Sequence, residues 1–301
     1  MTKLGFWVGL LAVAMSSGSA QVLVEVVQPQ DQFLPGEALP VAVRITNDSG
    51  QTLHLGGEPD WLTFSVESRK GAVVPKMGDI PVVEPFELPS ARVATKRMDL
   101  GPCFPISQPD RYNIIANVRI KQWGVDVTSP PKAFDIIEGV SLWQVDFGLP
   151  RAPGEANGSP EIRRYSLQQA NYVRGQIRLY LRVTDYTGTK PLRVVLVGRM
   201  LSFSRPEHLL DQASNLHLLY QDGPHAYSYF VYNPDGQLLA RQTHDYINLR
   251  PRLKVDADGK ISVTGGVRRL TATDLPPPKP PVAPEPPKPL NPPAETAVTR
   301  P

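Results

Sequence analysis

The side chains able to carry chemistry are few and scattered. There are five histidines, His54, His208, His217, His225 and His244. No two of them sit at i and i+4 with a glutamate between, the arrangement a zinc-protease helix requires. His217 and His225 flank Gln221-Asp222-Gly223-Pro224 and would approach each other on adjoining strands, but no further ligand type accompanies them. His244-Asp245 has the composition of a hydrolase dyad. Neighbours in a strand point to opposite faces, however, and no Gly-x-Ser-x-Gly elbow supplies a nucleophile. A glycine-rich phosphate loop is likewise missing. Paired carboxylates for glycoside cleavage are defined by spatial separation, and no segment of the chain points to them.

Two Asp-Gly sequences raise the question of a cation. Asn233-Pro234-Asp235-Gly236 carries one carboxylate, and Asp256-Ala257-Asp258-Gly259 puts its glycine directly after the second aspartate with no glutamate in range. An EF-hand loop needs alternating acidic ligands, glycine at the sixth position and a late glutamate, so both read as hairpin turns instead. The flanks agree, since Tyr227–Tyr232 with Gln237–Gln242 and Arg252–Val255 with Lys260–Thr264 have strand character. No metal and no cofactor is expected.

Aromatic residues concentrate nearby. Tyr220, Tyr227, Tyr229, Tyr232 and Tyr246 form the candidate binding face. Tyr227 and Tyr229 share one side of a strand and Tyr232 falls on the other. Half-buried packing across strands and a stacking platform for sugar or peptide both fit this pattern.

The elements that must position these residues are strands. Period-two alternation marks 22–28, 39–46, 62–68 and 111–122, with weaker signals at 73–74, 81–83, 92–98 and 133–137. After Gly139 come a strand in Ser141–Pro150, a turn-rich loop, and long strands over 172–184 and 192–201 joined through Asp185–Pro191 as a hairpin. Strands follow at 216–221 and through the two Asp-Gly hairpins, which would make Ala226–Thr264 one sheet. A single short helix is expected from Ser204 to about Ala213, where Ser204 and Glu207 form a capping box and Pro206 suits the first turn. The expected fold is all-β: a sandwich over 21–138, a second antiparallel β module with one short helix over 139–274, and a disordered proline-rich tail over 275–301.

Residues 22–138 resemble bacterial immunoglobulin-like sandwiches at the level of fold. The resemblance rests on Phe33-Leu34-Pro35-Gly36-Glu37 before an alternating strand, and on Pro109-Asp110-Arg111-Tyr112 before a long apolar one. It implies that the Tyr112 hydroxyl bonds back to backbone at a sheet corner. It implies no catalytic residue, and the cysteine pair of antibody domains is missing. The second module looks somewhat like propeller-blade or tyrosine-rich repeat hairpins, but 140–273 holds at most about three blades of about 40 residues, too few to close a propeller.

The ends of the chain carry the address. One cation, Lys3, precedes an apolar run from Leu4 to Met15 and the small residues Gly18-Ser19-Ala20, which reads as a signal peptide cleaved after Ala20. The run is short for a membrane core of about 30 Å, and no membrane span is expected in the mature chain. The tail Leu275–Pro301 is dominated by proline and reads as a spacer, with a ligand for a partner domain or a strand threading the cell wall as the other possibilities. A net charge of +3 over 301 residues disfavours nucleic acid as a partner. The single cysteine, Cys103, permits no intrachain bridge and points to a bacterial envelope rather than an animal secretory pathway. The expected role is non-catalytic, an exported binding or scaffolding protein of a bacterial envelope or secretome, periplasmic, cell-surface or secreted. Its partner would be a protein or an envelope polymer. The competing expectations are a polysaccharide-acting enzyme or accessory using the tyrosine sheet, and an inhibitor-like sandwich presenting a loop to a protease.

Overall fold

Alternating side chains pair off into strands that are apolar on one face, and such sheets are stable only when that face is covered. A computed structural model of the chain describes residues 22–80, 82, 84–149 and 161–276. The signal segment with Ala20, the loop 150–160 and residues 277–301 lie outside the described residues. Within them the protein is all-β, built of several mostly antiparallel sheets.

The N-terminal half holds β1 (Val22–Val27), β2 (Gln32–Phe33), β3 (Pro40–Asn47), β4 (Leu53–Leu55), β5 (Leu62–Ser68), β6 (Phe86–Leu88), β7 (Arg92–Asp99), β8 (Asp110–Ile120), β9 (Val125–Thr128) and β10 (Lys132–Ile136). They form a three-stranded sheet β1-β3-β7, a facing sheet β2-β10-β8-β5 with β9 on β8, and the small pair β4-β6. Inward residues of both large sheets share one core, with Val43, Ile45, Val66, Ile114 and Val118 fully buried. The Tyr112 hydroxyl donates to the Gln108 carbonyl at 2.9 Å, the corner bond expected of it. Asn47, within a glycosylation-like triplet, is fully buried. Its amide nitrogen donates to the Leu88 and Gln51 carbonyls at 2.8 and 2.7 Å, so the side chain is spent on tying β3 to β6.

The C-terminal half is also two sheets around one core. A four-stranded meander contains β11 (Val140–Gly148), β12 (Ile162–Tyr172), β13 (Gln176–Asp185) and β14 (Pro191–Met200). Facing it are β15 (Glu207–Leu210), β16 (Leu216–Gln221), β17 (Ala226–Tyr232), β18 (Leu238–Asp245) and, after the separate hairpin β19 (Arg252–Val255) and β20 (Ile261–Thr264), the edge strand β21 (Val267–Arg269). Leu179, Leu181 and Val183 from the meander meet Leu216, Leu218 and Tyr220 from the facing sheet.

Three expectations are corrected. The segment expected to be a helix, Ser204 to Ala213, is a turn and a strand, with Glu207 opposite Leu219 and Leu210 opposite Leu216. The capping residues are used otherwise. The Ser204 hydroxyl accepts from Gln221 N at 3.3 Å, and the Glu207 carboxylate accepts from Leu253 N at 3.0 Å. A short isolated helix has little intrinsic stability, and a ladder along β16 outweighs one cap. The long strand expected over 172–184 starts at Gln176, after a single 3₁₀ turn at Val173–Gly175, and a further strand, β12, ends where it was expected to begin. The stretch Ala226–Thr264 is not one sheet, because β19 and β20 pair only with each other and lie against the outer face of the β15–β18 sheet.

Both Asp-Gly turns are as expected. Gly236 N donates to the Asn233 carbonyl at 2.8 Å and Gly259 N to the Asp256 carbonyl at 2.9 Å. The two glycines have φ of 70° and 76°, the left-handed conformation such turns require.

Gly198 is fixed by packing rather than by dihedral. A Cβ there would lie 2.4 Å from the Tyr220 hydroxyl, in a core where the Tyr220 ring stacks on Phe230 with centroids 5.9 Å apart. Gly198→Ala is expected to lower stability by about 1–3 kcal/mol, the usual cost of overpacking. Adding Tyr220→Phe should recover part of that loss. Urea midpoints of the single and double variants test this; an unchanged midpoint for Gly198→Ala would refute the close contact.

Candidate functional site

The structure divides the five candidate tyrosines among three environments. Tyr220 and Tyr232 face the core between the sheets at 3% and 2% exposure. Tyr227 and Tyr229 point the other way on β17, as the alternation requires, but are only 3% and 6% exposed because Leu253 and Val263 of the β19–β20 hairpin pack on them with Leu219 and Val231. Tyr246 alone is at the surface, with the His225 ring 6.4 Å from its own. No stacking platform of five rings exists. The physical reason is that this sheet is apolar on both faces, one meeting the meander and one meeting the hairpin. Burial raises the Tyr229 hydroxyl to a pKa of about 12 and pushes Tyr220 and Tyr232 further still.

The histidines are dispersed. His217 Nδ1 lies 2.7 Å from the Tyr229 hydroxyl and Nε2 lies 3.3 Å from Asp211 Oδ2. Burial acts to raise the Asp211 pKa, yet hydrogen bonds from the Asn215 side chain and from Asn215 and Ala213 N hold it below the usual carboxylate range. A neutral His217 satisfies both contacts, its Nε2–H donating to Asp211 and its Nδ1 accepting from Tyr229. This chain resembles a proton relay, but its terminal hydroxyl is sealed under the hairpin, so it ties the β15–β16 turn to β17. Sequence spacing did not reveal the chain, because Asp211, His217 and Tyr229 meet only through strand register. His217 and His225 are not brought together, since His217 is opposite Val231. His208 packs against Trp143 with ring centroids 3.8 Å apart and the rings tilted by 37°, and Asp245 pairs with Arg269 rather than with His244. His54 lies at the surface 3.5 Å from Glu87. Among the described residues no group of three or more His, Cys, Asp or Glu gathers as a metal site, and no helix is long and apolar enough to cross a membrane.

The concave feature with convergent polar groups lies between the two halves. The segment between β1 and β3 rests on the outer face of the meander, where Leu34 packs with Ala170, Tyr180 and Val194. Glu37 organises the contact. Its carboxylate accepts from Leu34 N at 2.9 Å and from Gln30 Nε2 at 2.8 Å, and Gln30 Oε1 accepts from Arg178 at 2.7 Å. Burial raises the Glu37 pKa despite those bonds and the nearby Arg178 charge. Arg178 stacks on the Tyr172 ring, and Val173 N donates to Gln32 Oε1 at 3.0 Å. Beside this dock opens a groove of about 990 Å³. Lining it are Pro35–Pro40 with Gly101, Pro102 and Phe104–Ser107 from the N-terminal half, and Pro191–Leu196 with Arg182 from the meander. A second cleft, of about 400 Å³, lies over Trp61 and Phe86 in the N-terminal half. Charges at its rim are engaged in ion pairs, Lys121 with Glu58 and Arg119 with Asp60.

Burial holds the His208 and His244 pKa values below the ordinary 6.5, with Arg268 adding to the effect at His244. The unfolded chain takes up protons near pH 6.5 while the folded rings resist. Stability held above that pH is therefore expected to fall as the pH drops through 6.5 toward the lower folded values. Glu37 acts in the opposite sense at lower pH, its contribution being lost as pH rises through its elevated folded value. Urea midpoints from pH 8 to 5 should slope for the native chain and flatten for the double variant His208→Gln, His244→Gln, both of which keep Glu37. Parallel curves would show that the histidines do not set the slope.

No family model matches the chain, and no curated protein matches it. Among solved structures it is similar to Spo0M, a sporulation control protein from Bacillus subtilis, at 9% sequence identity and a TM-score of 0.30, over 60% of this chain and 90% of that one. Overlap of that degree transfers neither fold nor activity.

Proposed function

We propose that the protein is an exported, non-catalytic binding or scaffolding component of a bacterial envelope that holds a polypeptide or envelope-polymer partner in the groove between its halves. The observation that carries this reading is the groove itself. Its volume of about 990 Å³ is at the upper end of the range for binding clefts, and its walls are mostly apolar and proline-rich. Half-buried hydrogen bonds through Glu37, Gln30 and Arg178 hold the walls in place before any ligand arrives. The Asp-His-Tyr chain, the feature most like catalytic machinery, supports a structural role instead, since Tyr229 is covered. The finer reading of the N-terminal half as immunoglobulin-like draws support from the Tyr112 corner bond and the two facing sheets. The export reading rests on the Lys3, Leu4–Met15 and Gly18–Ala20 pattern.

The test is affinity capture from envelope extracts with three baits: the mature chain, the groove variant Leu192→Asp, and a chain ending at residue 276. Leu192 is 44% exposed, so the aspartate should leave the melting temperature within a few degrees of native. The native bait should retain a partner that Leu192→Asp loses and that the truncated chain keeps. Identical capture by the native and Leu192→Asp baits would show that the groove is not the binding site.

A further inference from the structure

We infer that one end of the C-terminal half docks on a lipid bilayer bearing anionic phospholipid headgroups, with Phe203, Ile247 and Leu249 entering the bilayer surface. The inference does not depend on the groove.

Strand order defines this end. Neighbours in the sheet β15-β16-β17-β18-β21 are antiparallel, so the start of β15, the end of β16, the start of β17, the end of β18 and the start of β21 lie side by side. Backbone bonds join the loops that leave these points. Leu201 N donates to the Gln221 carbonyl at 3.2 Å, Tyr246 N to the His225 carbonyl at 2.7 Å, and Gly266 N to the Leu249 carbonyl at 2.8 Å. Segments 201–206, 222–225, 246–251 and 265–266 therefore form one rim.

Large apolar side chains stand in water on this rim. Phe203 is 77% exposed, Leu249 71% and Ile247 65%. A single exposed leucine carries no message, but these three are on adjoining loops. The turns at the opposite end of the same sheet, Asp211–Asn215 and Asn233–Gln237, carry no large apolar side chain. Turn chemistry asks only for glycine, proline and short polar residues, as that opposite end shows, so closing the strands does not explain the apolar rim.

The charges of the rim fit a negative surface. Arg205 and Arg250 are exposed and have no ion pair among the described residues; Arg250 lies 5.5 Å from the centre of the Tyr227 ring. The acidic groups at this end are engaged. Glu207 accepts from Leu253 N and pairs with Arg252, and Asp245 pairs with Arg269. Asp222 accepts from the Ser228 hydroxyl at 2.7 Å, and its other oxygen is buried. The uncommitted charges turned to solvent are thus cationic.

Shape and residue order favour lipid over a protein partner. Neither of the two clefts includes a residue of the rim. Apolar tips on separate loops, with no pocket among them, suit a deformable medium that closes around each side chain, whereas a protein partner needs a complementary surface. Tyr246 adjoins Ile247, and Arg250 adjoins Leu249. Apolar tips backed by tyrosine and arginine match the passage from acyl chains through the interface to the phosphates.

Co-sedimentation with vesicles tests the inference, on the chain from Gln21 onward so that the apolar run Leu4–Met15 is absent. The native chain should sediment with vesicles of phosphatidylcholine mixed with phosphatidylglycerol, and far less with phosphatidylcholine alone. The triple variant Phe203→Ser, Ile247→Ser, Leu249→Ser should bind the mixed vesicles more weakly by about tenfold or more. The double variant Arg205→Gln, Arg250→Gln should lose the preference for the anionic lipid. All the substituted side chains are exposed, so melting temperatures should stay within a few degrees of native. Absence of native binding to the mixed vesicles, or binding that both variants retain in full, would overturn the inference. Binding lost in the arginine variant alone would overturn the entry of the apolar tips. Self-association of the native chain that the triple variant loses, without vesicle binding, would reassign this end to a contact between copies.

Discussion

A half-buried carboxylate helps to set the arrangement of the two halves. Glu37 follows the Pro35-Gly36 turn between β1 and β3, and its charge is opposed by burial and supported by Leu34 N, Gln30 and the nearby Arg178. Removing one partner of such a cluster leaves an uncompensated polar group, which costs more than the bond contributes when intact. The cluster also holds Leu34 against Tyr180 and Val194, the apolar centre of the contact. Glu37 shares that task with Val173 N on Gln32, Arg182 on the Pro35 carbonyl and the β-bridge from its own backbone to Val194, which together seat the chain between β1 and β3 on the meander.

Each half is stabilised by a different use of sheet faces. In the N-terminal half, two sheets bury one face each and expose the other, as the alternating burial of β3 and β8 shows. In the C-terminal half, the β15–β18 sheet is apolar on both sides: β16 and β17 are buried almost without interruption. One face meets the meander, and the β19–β20 hairpin covers the other through Leu253 and Val263. That coverage explains how a chain with one cysteine holds together. Three layers bury a larger apolar area than two, and apolar burial is the dominant stabilising term in the absence of crosslinks.

Local signals were legible where apolar residues dominate a short run bounded by turn residues. Leu62–Ser68 and Leu216–Gln221 match their expected spans, both Asp-Gly turns close as their residue types require, and Tyr112 makes its corner bond. The misreadings share a cause. In β12 the inward Tyr165 and Leu167 are interleaved with Ser166, Gln168 and Gln169, so its apolar content is low, although pairing with β11 and β13 fixes it centrally. The capping box at Ser204 and Glu207 was a sound local signal overridden by pairing with β16. The tyrosine alternation on β17 was correct, but the hairpin that buries Tyr227 and Tyr229 follows some twenty residues later and leaves no trace in their spacing. The groove was invisible for the same reason, as its walls are brought together by contacts between residues about 150 positions apart.

The polar groups at the contact between the halves divide by what they already hold. Glu37, Asp99, Gln30 and Gln32 spend their acceptors on nearby backbone amides or on partners across the contact. These bonds fix geometry, and that fixity is what a preformed site requires. A contact made only of apolar groups would also hold the halves together, but it would tolerate sliding, because apolar packing is not directional. The hydroxyl of Tyr180 is buried at the same contact close to Arg178, and burial raises its pKa to about 12. Directional bonds through Gln30, Gln32 and Glu37 set the register of this contact, and the apolar contact of Leu34 with Tyr180 and Val194 fills the space they leave.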